Sequence, residues 1–363
     1  MFSAADYVFM SHALRLAGQG LYTTMPNPRV GCVIVRDEQI VGSGWHQKAG
    51  QPHAEINALA EAGATARGAT AYVTLEPCSH HGRTPPCADA LIAAGIARVV
   101  MAMEDPNPLV SGRGRALLQQ AGISVQTGLL QAEAQVLNAG FVSRMTRKKP
   151  WVRLKIAASL DGKTALNNGA SQWITGEAAR QDGHRWRARS CAVMTGIGTV
   201  KSDNPQLTVR HVKTDRQPKK IVVDGRLAIP LDARVLQDGE ETFIFTAQTG
   251  NSEKKAALSQ MNAQVMVLPD AVGKVDLQKM MVVLAESGIN EILVEAGNGL
   301  NGALVKAGVV DELVLYLAPH LLGDDAQGMI KLPELTQLEQ EKKLEIQDMR
   351  MIGQDIRVIA KFL

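Results

Sequence analysis

A histidine and two cysteines stand at spacings that restrict how the first part of the chain can fold. His53-Ala54-Glu55 begins an apolar helical pattern, whereas Cys78 follows the alternating residues 71–75, which predict a strand. Cys87 comes after Pro85-Pro86 and opens a second helical pattern. One imidazole and two thiolates are the three protein ligands of a catalytic zinc that keeps its fourth position open. The fold must therefore bring two helix starts and one strand end to a single point.

The order of these residues also indicates a type of chemistry. His-x-Glu followed by Pro-Cys-x-x-Cys is the signature of zinc deaminases, in which metal-bound hydroxide attacks an amidine-type ring carbon and the glutamate moves protons. Glu55 has the position of that glutamate, but eight residues (79–86) separate Cys78 from Cys87 instead of two. The alternative is a structural or accidental cluster, although a structural zinc site normally has four ligands.

Size and composition limit the number of domains, the type of partner and the location that this chain can have. A chain of 363 residues predicts two domains, and 45% apolar with 21% charged residues is typical of a globular protein. The net charge of +3 is spread along the chain and only 4% of residues are aromatic, which gives little support to a nucleic-acid surface. Four cysteines do not form a disulfide framework, residues 1–20 do not resemble a signal peptide, and no apolar run would cross a bilayer. We therefore expect a cytoplasmic protein.

The first half alternates predicted helices and strands. The predicted helices are 6–21, 54–64, 88–94, 113–121 and 132–147, and the predicted strands are 30–35, 40–44, 70–75, 99–103 and 123–127. This alternation indicates an α/β sandwich with a largely parallel sheet. Residues 144–150 are basic, polar and end in proline, so we place the boundary there, between domains 1–147 and 150–363.

The second half has the same alternating character. Its predicted strands are 151–157, 192–196, 220–224, 242–246, 265–268, 291–296, 312–318 and 356–362, and its predicted helices are 177–190, 253–261, 277–287 and 299–307. The pattern again indicates an α/β domain.

Residues 297–302 match the Gly-x-Gly-x-x-Gly dinucleotide fingerprint, after a predicted strand and at a helix start. Small residues and helix amides at this place favour phosphate. A Rossmann fold needs further βα units, whereas residues 303–363 read as strand, loop and strand. We therefore retain phosphate binding and reject the Rossmann fold; glycines that pack the helix on the strand are the alternative.

Two sets of motifs resemble, in order and over essentially the whole length, the bifunctional deaminase–reductase family of riboflavin biosynthesis. The first set is Pro77-Cys78-Ser79-His80-His81-Gly82-Arg83-Thr84-Pro85-Pro86-Cys87 and Asp105-Pro106-Asn107-Pro108-x-Val110-x-Gly112. The second set is Lys155-Ile156-Ala157-Ala158-Ser159-Leu160-Asp161-Gly162-Lys163, Ser171-x-Trp173-Ile174-Thr175, Asp203-Asn204-Pro205-x-Leu207-Thr208-x-Arg210 and Glu295-Ala296-Gly297. The resemblance implies an N-terminal three-layer sandwich similar to cytidine deaminase and a C-terminal domain similar to dihydrofolate reductase.

For the first domain the resemblance implies a zinc-dependent pyrimidine deaminase. Its substrate would be 2,5-diamino-6-ribosylamino-4(3H)-pyrimidinone 5′-phosphate, which it converts to the dione with release of ammonia. His53, Cys78 and Cys87 would hold one Zn²⁺ per chain, and Glu55 would be catalytic. Asn27 matches an asparagine that binds substrate in similar deaminases, or it is an Asx-turn residue. The roles of His80 and His81 stay open between ordering the loop, facing the substrate and closing the metal site.

For the second domain the resemblance implies an NADPH-dependent reductase that converts the ribosyl group to ribityl. The residues implied to bind the cofactor are Ala157, Trp173, Thr199, Asp203, Gly297, Asn298, Gly299, Leu300, Asn301, Gly302 and Ala303. Those implied to bind substrate are Ser171, Arg187, Leu207, Arg210 and Glu295. Arg187 and Arg210 suit a 5′-phosphate clamp, and Lys155 with Glu295 would favour the open-chain imine that accepts hydride. Taken alone, each of three residues is equally compatible with a structural role. Arg187 fits a solvated helix face, Asp203 fits a turn, and Trp173 fits a buried core position.

The sequence leaves two alternative functions. One is a deaminase whose second half only binds substrate, against which the intact Lys155, Asp161, Arg210 and Glu295 argue. The other is a nucleic-acid-editing zinc deaminase with a C-terminal binding domain, which would need a basic surface interleaved with aromatic residues. The family suggests a homo-oligomer that acts on a small phosphorylated pyrimidine, without a nucleic-acid or membrane partner. The residues alone do not decide between NADPH and NADH, nor whether the intermediate passes between the sites.

Overall fold

The structure, a computed structural model, describes residues 1–79, 86–108, 110–249 and 252–363. The chain divides into two compact units, Met1–Lys148 and Lys149–Leu363. Each unit contains a β-sheet with helices, so both are of the predicted α/β class. Among the described residues, no helix combines the length and apolar character needed to cross a membrane.

The first unit contains one five-stranded sheet. Its strands are β1 (Gly31–Arg36), β2 (Gln39–Trp45), β3 (Thr70–Val73), β4 (Arg98–Met101) and β5 (Ser124–Thr127), in the order β2-β1-β3-β4-β5. Its helices are α1 (Ala4–Gln19), α2 (Ala54–Ala62), α3 (Cys87–Ala93), α4 (Arg113–Gln120), α5 (Gln131–Leu137) and α6 (Ala139–Arg147).

The prediction of a largely parallel sheet is wrong for half of this sheet. Strand β1 pairs antiparallel with both β2 and β3, whereas β3–β4 and β4–β5 are parallel pairs. Asp37 and Glu38 join β1 to β2 with positive φ angles of 48° and 60°. A two-residue turn of this kind can connect only antiparallel strands.

Helices cover both faces of this sheet. A Cβ added to Gly31 in β1 would lie 2.0 Å from the carbonyl oxygen of Ala13 in α1, and one added to Gly44 in β2 would lie 2.6 Å from that of Ala54 in α2. Gly44 pairs with Cys32 and therefore shares its face, whereas Gly31 and Cys32 are neighbours in one strand and point to opposite faces. Helices α1 and α2 thus lie on opposite sides, which gives three layers.

Helix α1 is held at its N-terminus and at its contact with the sheet by one carboxylate. Ser3 and Asp6 form a capping box, in which each side chain accepts a hydrogen bond from the other's backbone N–H. The buried Asp6 carboxylate also accepts from Arg98 Nη1 at 2.8 Å and from the Tyr72 hydroxyl at 2.7 Å. Hydrogen bonds from Arg98 are the main reason why the pKa of Asp6 lies well below its usual range.

The single helix predicted over 132–147 is wrong, because the structure breaks it at Asn138. This residue has φ −112° and ψ 24°, and it separates α5 from α6. Its buried side chain accepts from the backbone N–H of Arg29 at 2.8 Å and donates to the Arg29 carbonyl at 2.9 Å. A side chain that competes for backbone partners in this way favours a helix end.

The second unit contains a nine-stranded sheet and a small two-stranded one. The strands are β6 (Trp151–Ser159), β7 (Lys163–Ala165), β8 (Ala192–Gly196), β9 (Lys219–Val223), β10 (Thr242–Thr246), β11 (Ala263–Val267), β12 (Glu291–Val294), β13 (Glu312–Ala318), β14 (Gln327–Gly328), β15 (Leu344–Ile352) and β16 (Asp355–Phe362). The helices are α7 (Glu177–Arg189), α8 (Ile197–Asp203), α9 (Ser252–Gln260), α10 (Leu277–Glu286) and α11 (Asn298–Lys306).

The large sheet has the order β11-β10-β9-β8-β12-β6-β13-β16-β15, and β14 pairs with β7 separately. All pairs from β11 to β13 are parallel, and β16 and β15 are added antiparallel. The sequence pattern missed β7, α8, β14 and β15. Strand β15 was missed because it is an exposed edge strand and a β-bulge between Ile346 and Asp348 interrupts its alternation.

Candidate active sites

The three predicted metal ligands converge in the first unit. His53 is the residue that precedes α2, Cys78 lies in the loop after β3, and Cys87 is the first residue of α3. His53 Nδ1 lies 3.6 Å from Cys78 Sγ and 3.3 Å from Cys87 Sγ, and the three ligand atoms lie within 4.8 Å of one another. One imidazole nitrogen directed at two sulfurs fits a zinc ion with three protein ligands.

The electrostatics of this cluster favour an anionic sulfur. A hydrogen bond from the Cys87 thiol is the largest of the effects that lower the pKa of Cys78 to about 4, and contacts with His53 and the backbone N–H of Cys87 add to it. The same sharing raises the pKa of Cys87. Glu55 is buried in the first turn of α2, and this burial raises its pKa to about 7. The cluster therefore holds a thiolate ligand beside a desolvated carboxyl group.

Asn27 is connected to the metal cluster by a histidine that the sequence analysis missed. His46, directly after β2, is buried; its Nε2 lies 3.1 Å from Asn27 Nδ2 and its Nδ1 lies 3.2 Å from the Pro52 carbonyl oxygen. Because an amide nitrogen and a carbonyl require an acceptor and a donor respectively, the proton belongs on Nδ1. The rings of His46 and His53 are in edge contact, with centroids 5.3 Å apart. His80 and His81 lie outside the described residues.

Glu76, also missed, organises the loop that carries the Asp105–Gly112 motif. Its buried carboxylate accepts hydrogen bonds from the backbone N–H groups of Asp105, Gly112 and Arg115 at 3.0–3.1 Å. Gly114 allows the close approach, because a Cβ there would lie 2.1 Å from the Pro77 carbonyl oxygen. Hydrogen bonds to Glu76 and the close contact with Pro77 thus join the segment that carries this motif to the residues directly before Cys78. A carboxylate that binds distant backbone amides leaves no periodic signal in the sequence.

A cleft of about 410 Å³ in the second unit gathers many of the predicted reductase residues. Among the residues that line it are Lys155, Ala157, Ser171, Trp173, Thr199, Asp203, Glu295, Gly297 and Asn298. The Trp173 ring is 70% exposed, and the guanidinium of Arg180 lies over it, 4.8 Å from the ring centroid. An exposed aromatic face on a cleft wall is suited to stacking against a planar ligand. It does not belong to the core.

Helix α11 begins at this cleft. Gly297 precedes the helix, whose first N–H groups have no partner within the helix and can bind an anion. The structure places the later residues of the fingerprint elsewhere. Asn301 is buried and donates to the Met329 carbonyl oxygen, and a Cβ on Gly302 would lie 1.9 Å from the Lys331 carbonyl oxygen. These two residues pack the helix against residues 329–331, which are not part of a strand, so the contact differs from the helix-on-strand packing of the alternative interpretation.

Arg187 and Glu295 form a partly buried ion pair at the cleft. Arg187 donates to both carboxylate oxygens of Glu295, at 2.6 and 2.9 Å. Burial raises the pKa of Glu295, but the charge and hydrogen bonds of Arg187 outweigh it and bring that pKa to about 2. Burial lowers the pKa of the nearby Lys155, whose ammonium lies over the ring of Tyr316. Arg187 therefore does not lie on a solvated helix face.

Asp161 has a structural role in the turn that follows β6. Its carboxylate accepts from the backbone N–H groups of Leu322, at 3.1–3.2 Å, and Gly323, at 2.8 Å, and also from the Ser159 hydroxyl. It therefore joins the turn after β6 to a distant loop. This explains why a chain with this fold needs an acidic residue in the Ser159–Lys163 motif.

Comparison with known proteins identifies a domain family for each unit. A model of the cytidine and deoxycytidylate deaminase zinc-binding region matches residues 3–103, and a model of the RibD C-terminal domain matches residues 150–358. The riboflavin biosynthesis protein RibD of Escherichia coli K12 is 49% identical over 363 residues, which cover 97% of this chain and 98% of that protein. The chain belongs to the RibD family.

Other RibD proteins resemble this chain at the level of sequence and structure. RibD of Haemophilus influenzae is 43% identical, with 98% of this chain and 97% of that protein covered. A structure of Acinetobacter baumannii RibD superposes with a TM-score of 0.92 at 44% identity and 99% coverage of both chains. A Thermotoga maritima structure, described as a diaminohydroxyphosphoribosylaminopyrimidine deaminase/5-amino-6-(5-phosphoribosylamino)uracil reductase, has a TM-score of 0.87 at 33% identity and covers 99% of both chains.

Membership of the RibD family settles the fold and the class of activity. The first unit is a cytidine-deaminase-like domain and the second a RibD reductase domain, as predicted. The chain is a bifunctional deaminase and reductase of riboflavin biosynthesis. The nucleic-acid-editing alternative is not favoured.

Proposed function

We propose that the chain catalyses two consecutive steps on one phosphorylated pyrimidine. The first removes an amino group from 2,5-diamino-6-ribosylamino-4(3H)-pyrimidinone 5′-phosphate as ammonia, and the second reduces the ribosyl group of the resulting dione to ribityl. The observation that carries this proposal is that one chain contains both a His-Cys-Cys cluster with a buried glutamate and a cleft lined by Lys155 and by Glu295, which is paired with Arg187.

In the deaminase unit the residues have separate tasks. A zinc ion held by His53, Cys78 and Cys87 would lower the pKa of a water molecule and so supply the nucleophile. Glu55 beside such a cation would be ionised, take the proton of that water and pass it to the leaving amine. Asn27, fixed by His46, would hold the pyrimidine edge in place. Burial of Glu55 limits competing hydration of its carboxylate.

In the reductase unit we propose that the cleft binds NADPH, which would supply the hydride. Trp173 would stack on the cofactor, Ala157, Thr199 and Asp203 would line its path, and the amides at the start of α11 would bind its pyrophosphate. Gly297 and Asn298 are the residues of that helix start that line the cleft, and we propose that Gly299, Leu300 and Ala303 act through the same turn.

The substrate of the second step carries a dianionic phosphate, which requires cations. We propose that Arg210 and Arg187 bind this phosphate, with Ser171 and the buried Leu207 fixing the sugar and base. Arg187 also holds Glu295 ionised, and Glu295 with Lys155 would favour the open-chain imine by proton exchange with the ribosyl group. A lysine with a lowered pKa can act as such a proton donor near neutral pH.

The test is to measure ammonia release and NADPH oxidation side by side for two variants. With the diamino substrate, Glu55→Gln should lose ammonia release and, for lack of the dione, NADPH oxidation as well. Supplying the dione should restore its NADPH oxidation. Lys155→Met should show the opposite pattern, with ammonia release kept and NADPH oxidation lost on either substrate.

The zinc content of both variants serves as the control, since neither residue is a metal ligand. Zinc-loaded native protein that gives ammonia but does not oxidise NADPH would refute the proposed reductase. Native protein that gives neither signal would refute the whole assignment.

We further propose that the chain forms a homo-oligomer through β15. The edge strand exposes Leu344, Ile346, Met349 and Met351, and the bulge before Asp348 keeps all four on one face of the sheet. An exposed apolar edge strand is a typical contact surface for a second copy. Sedimentation of the native protein and of a Met349→Lys variant tests this, since the charge should shift the assembly towards monomer.

We also propose a cytoplasmic location. The proposed metal site needs reduced thiols, and the buried Cys32 and Cys191 are likewise not joined in a disulfide. Thiols of this kind persist in a reducing compartment. Fractionation of cells that express a tagged chain would test this location.

A further inference from the structure

Residues 207–210, which carry two of the proposed substrate-binding side chains, are fixed by side chains from other elements. The carbonyl oxygen of Thr208 accepts a hydrogen bond from Arg187 Nη1 at 2.9 Å. The backbone N–H of Val209 donates to Gln217 Oε1 at 2.7 Å, and its carbonyl oxygen accepts from Gln217 Nε2 at 3.2 Å. Backbone groups outside helices and strands need such partners when they are removed from water. The segment is thus held in one conformation before any substrate arrives.

A further contact to this segment comes from a buried histidine, His184. His184 lies on α7 three residues before Arg187, so both side chains leave the same face of the helix. Its Nδ1 accepts a hydrogen bond from the backbone N–H of Arg210 at 3.2 Å, and its side chain is only 6% exposed. The ring is in edge contact with His211, with centroids 4.8 Å apart. Because Nδ1 accepts, the proton of this imidazole is on Nε2 and the ring is neutral.

The charges around His184 maintain this neutral state and favour an anionic ligand. Burial, then the positive charges of Arg187 and Arg210, lower the pKa of His184 to about 4. Burial and the neighbouring Arg187 and Arg234 likewise lower the pKa of Arg210. Guanidinium groups that repel each other are stabilised when a phosphate lies between them. Arg210 can serve this purpose only if its main chain is held in place, since its own side chain is largely exposed.

We infer that His184 is a positioning residue for the substrate phosphate: by accepting the backbone N–H of Arg210, it fixes the direction in which the Arg210 guanidinium leaves the chain. The inference rests on the proposed role of Arg210 in the reductase step. His184 acts through the main chain and does not touch the reacting atoms. Its removal should therefore affect the binding of phosphorylated ligands and leave the hydride step largely unchanged.

The test is steady-state kinetics of the reductase step with the dione as substrate. In His184→Ala the KM for the dione should rise roughly five- to tenfold, as expected for the loss of one buried hydrogen bond. The kcat and the KM for NADPH should stay within about twofold, because the acceptor lies outside the cofactor cleft. Competitive inhibition by ribose 5-phosphate should weaken by the same factor as the KM. Inhibition by ribose without phosphate should not change.

Two further variants make the result decisive. His184→Asn keeps an acceptor atom at the position of Nδ1, so it should restore most of the affinity that alanine loses. His320→Ala removes an exposed histidine of the same unit and should behave as the native protein. A His184→Asn variant no better than alanine, or a fall in kcat with KM unchanged, would overturn the positioning role.

A fourth variant separates this inference from the proposed function on which it rests. Arg210→Met should raise the KM for the dione at least as much as His184→Ala does. If Arg210→Met has no effect, the proposed phosphate clamp is wrong and the role of His184 falls with it. If Arg210→Met raises the KM and His184→Ala does not, the clamp stands and only the positioning role is refuted. Should the alanine variant fail to fold, His184→Leu, which fills the space but has no acceptor, takes its place in the comparison with His184→Asn.

Discussion

Asn138 links the break between α5 and α6 to the segment that leads into β1. In Asn138→Ala the backbone N–H and carbonyl oxygen of Arg29 would lose their buried partners, with bond lengths of 2.8 and 2.9 Å in the native chain. Loss of a hydrogen bond by a group that stays buried costs about 1–3 kcal/mol, so the loss of both bonds should lower the free energy of unfolding by about 2–6 kcal/mol. Alanine favours helix by under about 1 kcal/mol, which offsets only a small part.

The loss should be confined to the first unit, which can be followed by its own reaction. We expect the urea midpoint for ammonia release to fall by about 2 M, which is a loss of about 4 kcal/mol over a denaturant slope of about 2 kcal/mol per M. The midpoint for NADPH oxidation with the dione should not move, because Asn138 and Arg29 both belong to the first compact unit.

Two variants control for other effects of the substitution. Gln135→Ala removes an exposed amide from the same helix and should leave both midpoints unchanged. Asn138→Asp keeps the acceptor for the Arg29 N–H and loses the donor, so its midpoint should lie between those of the native and alanine chains. If Asn138→Ala and Gln135→Ala have the same midpoint, the two hydrogen bonds do not stabilise the unit and the reasoning is wrong.

Three further outcomes are expected. A zinc chelator should abolish ammonia release and leave NADPH oxidation with the dione intact; loss of both activities would contradict separate sites. Gly302→Ala places a methyl group against the Lys331 carbonyl oxygen and should lower the Tm of the reductase unit, at a cost of about 1–3 kcal/mol. Gly299→Ala meets no neighbour and should raise stability by about 0.5–1 kcal/mol, so equal Tm values would refute the packing argument. The pKa of Asp6 is lowered by Arg98, so its ionised form stabilises the first unit above the unfolded pKa, about 3.9, and this stability is lost as pH falls towards the folded value. Acid titration of Asp6→Asn should therefore show a less stable unit at neutral pH with a shallower loss of stability in acid.

The residues that could be predicted from the sequence lie at the ends of helices and strands. His53, Cys78 and Cys87 each occupy such an end, so periodicity placed the elements and the ligand chemistry identified the point where they meet. Lys155 and Glu295 were named only through the resemblance to the deaminase–reductase family, and the structure places them within β6 and directly after β12. Because β6 and β12 are adjacent and parallel, residues towards their carboxyl ends gather at one edge of the sheet, where they line the cleft.

The features that could not be predicted from the sequence depend on tertiary contacts. The break at Asn138 falls within an unbroken apolar helical pattern, and the antiparallel β1 differs from a parallel strand only in its tight turn at residues 37–38. His46 and Glu76 are polar residues whose partners are distant in the chain. Such contacts follow from tertiary packing, which periodicity does not encode.

Reacting residues can be identified from the sequence, whereas the residues that position them can be identified only from the fold. Glu76 binds backbone N–H groups between Asp105 and Arg115. Gln217 and His184 bind backbone groups of Val209 and Arg210. Side-chain acceptors for backbone amides are not specified by one residue type, because Glu, Gln and His serve equally here. A reacting group has few substitutes, since zinc requires imidazole or thiolate and phosphate requires a cation. Chemistry therefore marks the catalytic residues in the sequence, whereas the residues that position them can be identified only from the fold. His184 belongs to the second kind, and for this reason its test depends on whether asparagine, which differs in chemistry but keeps the acceptor, can replace it.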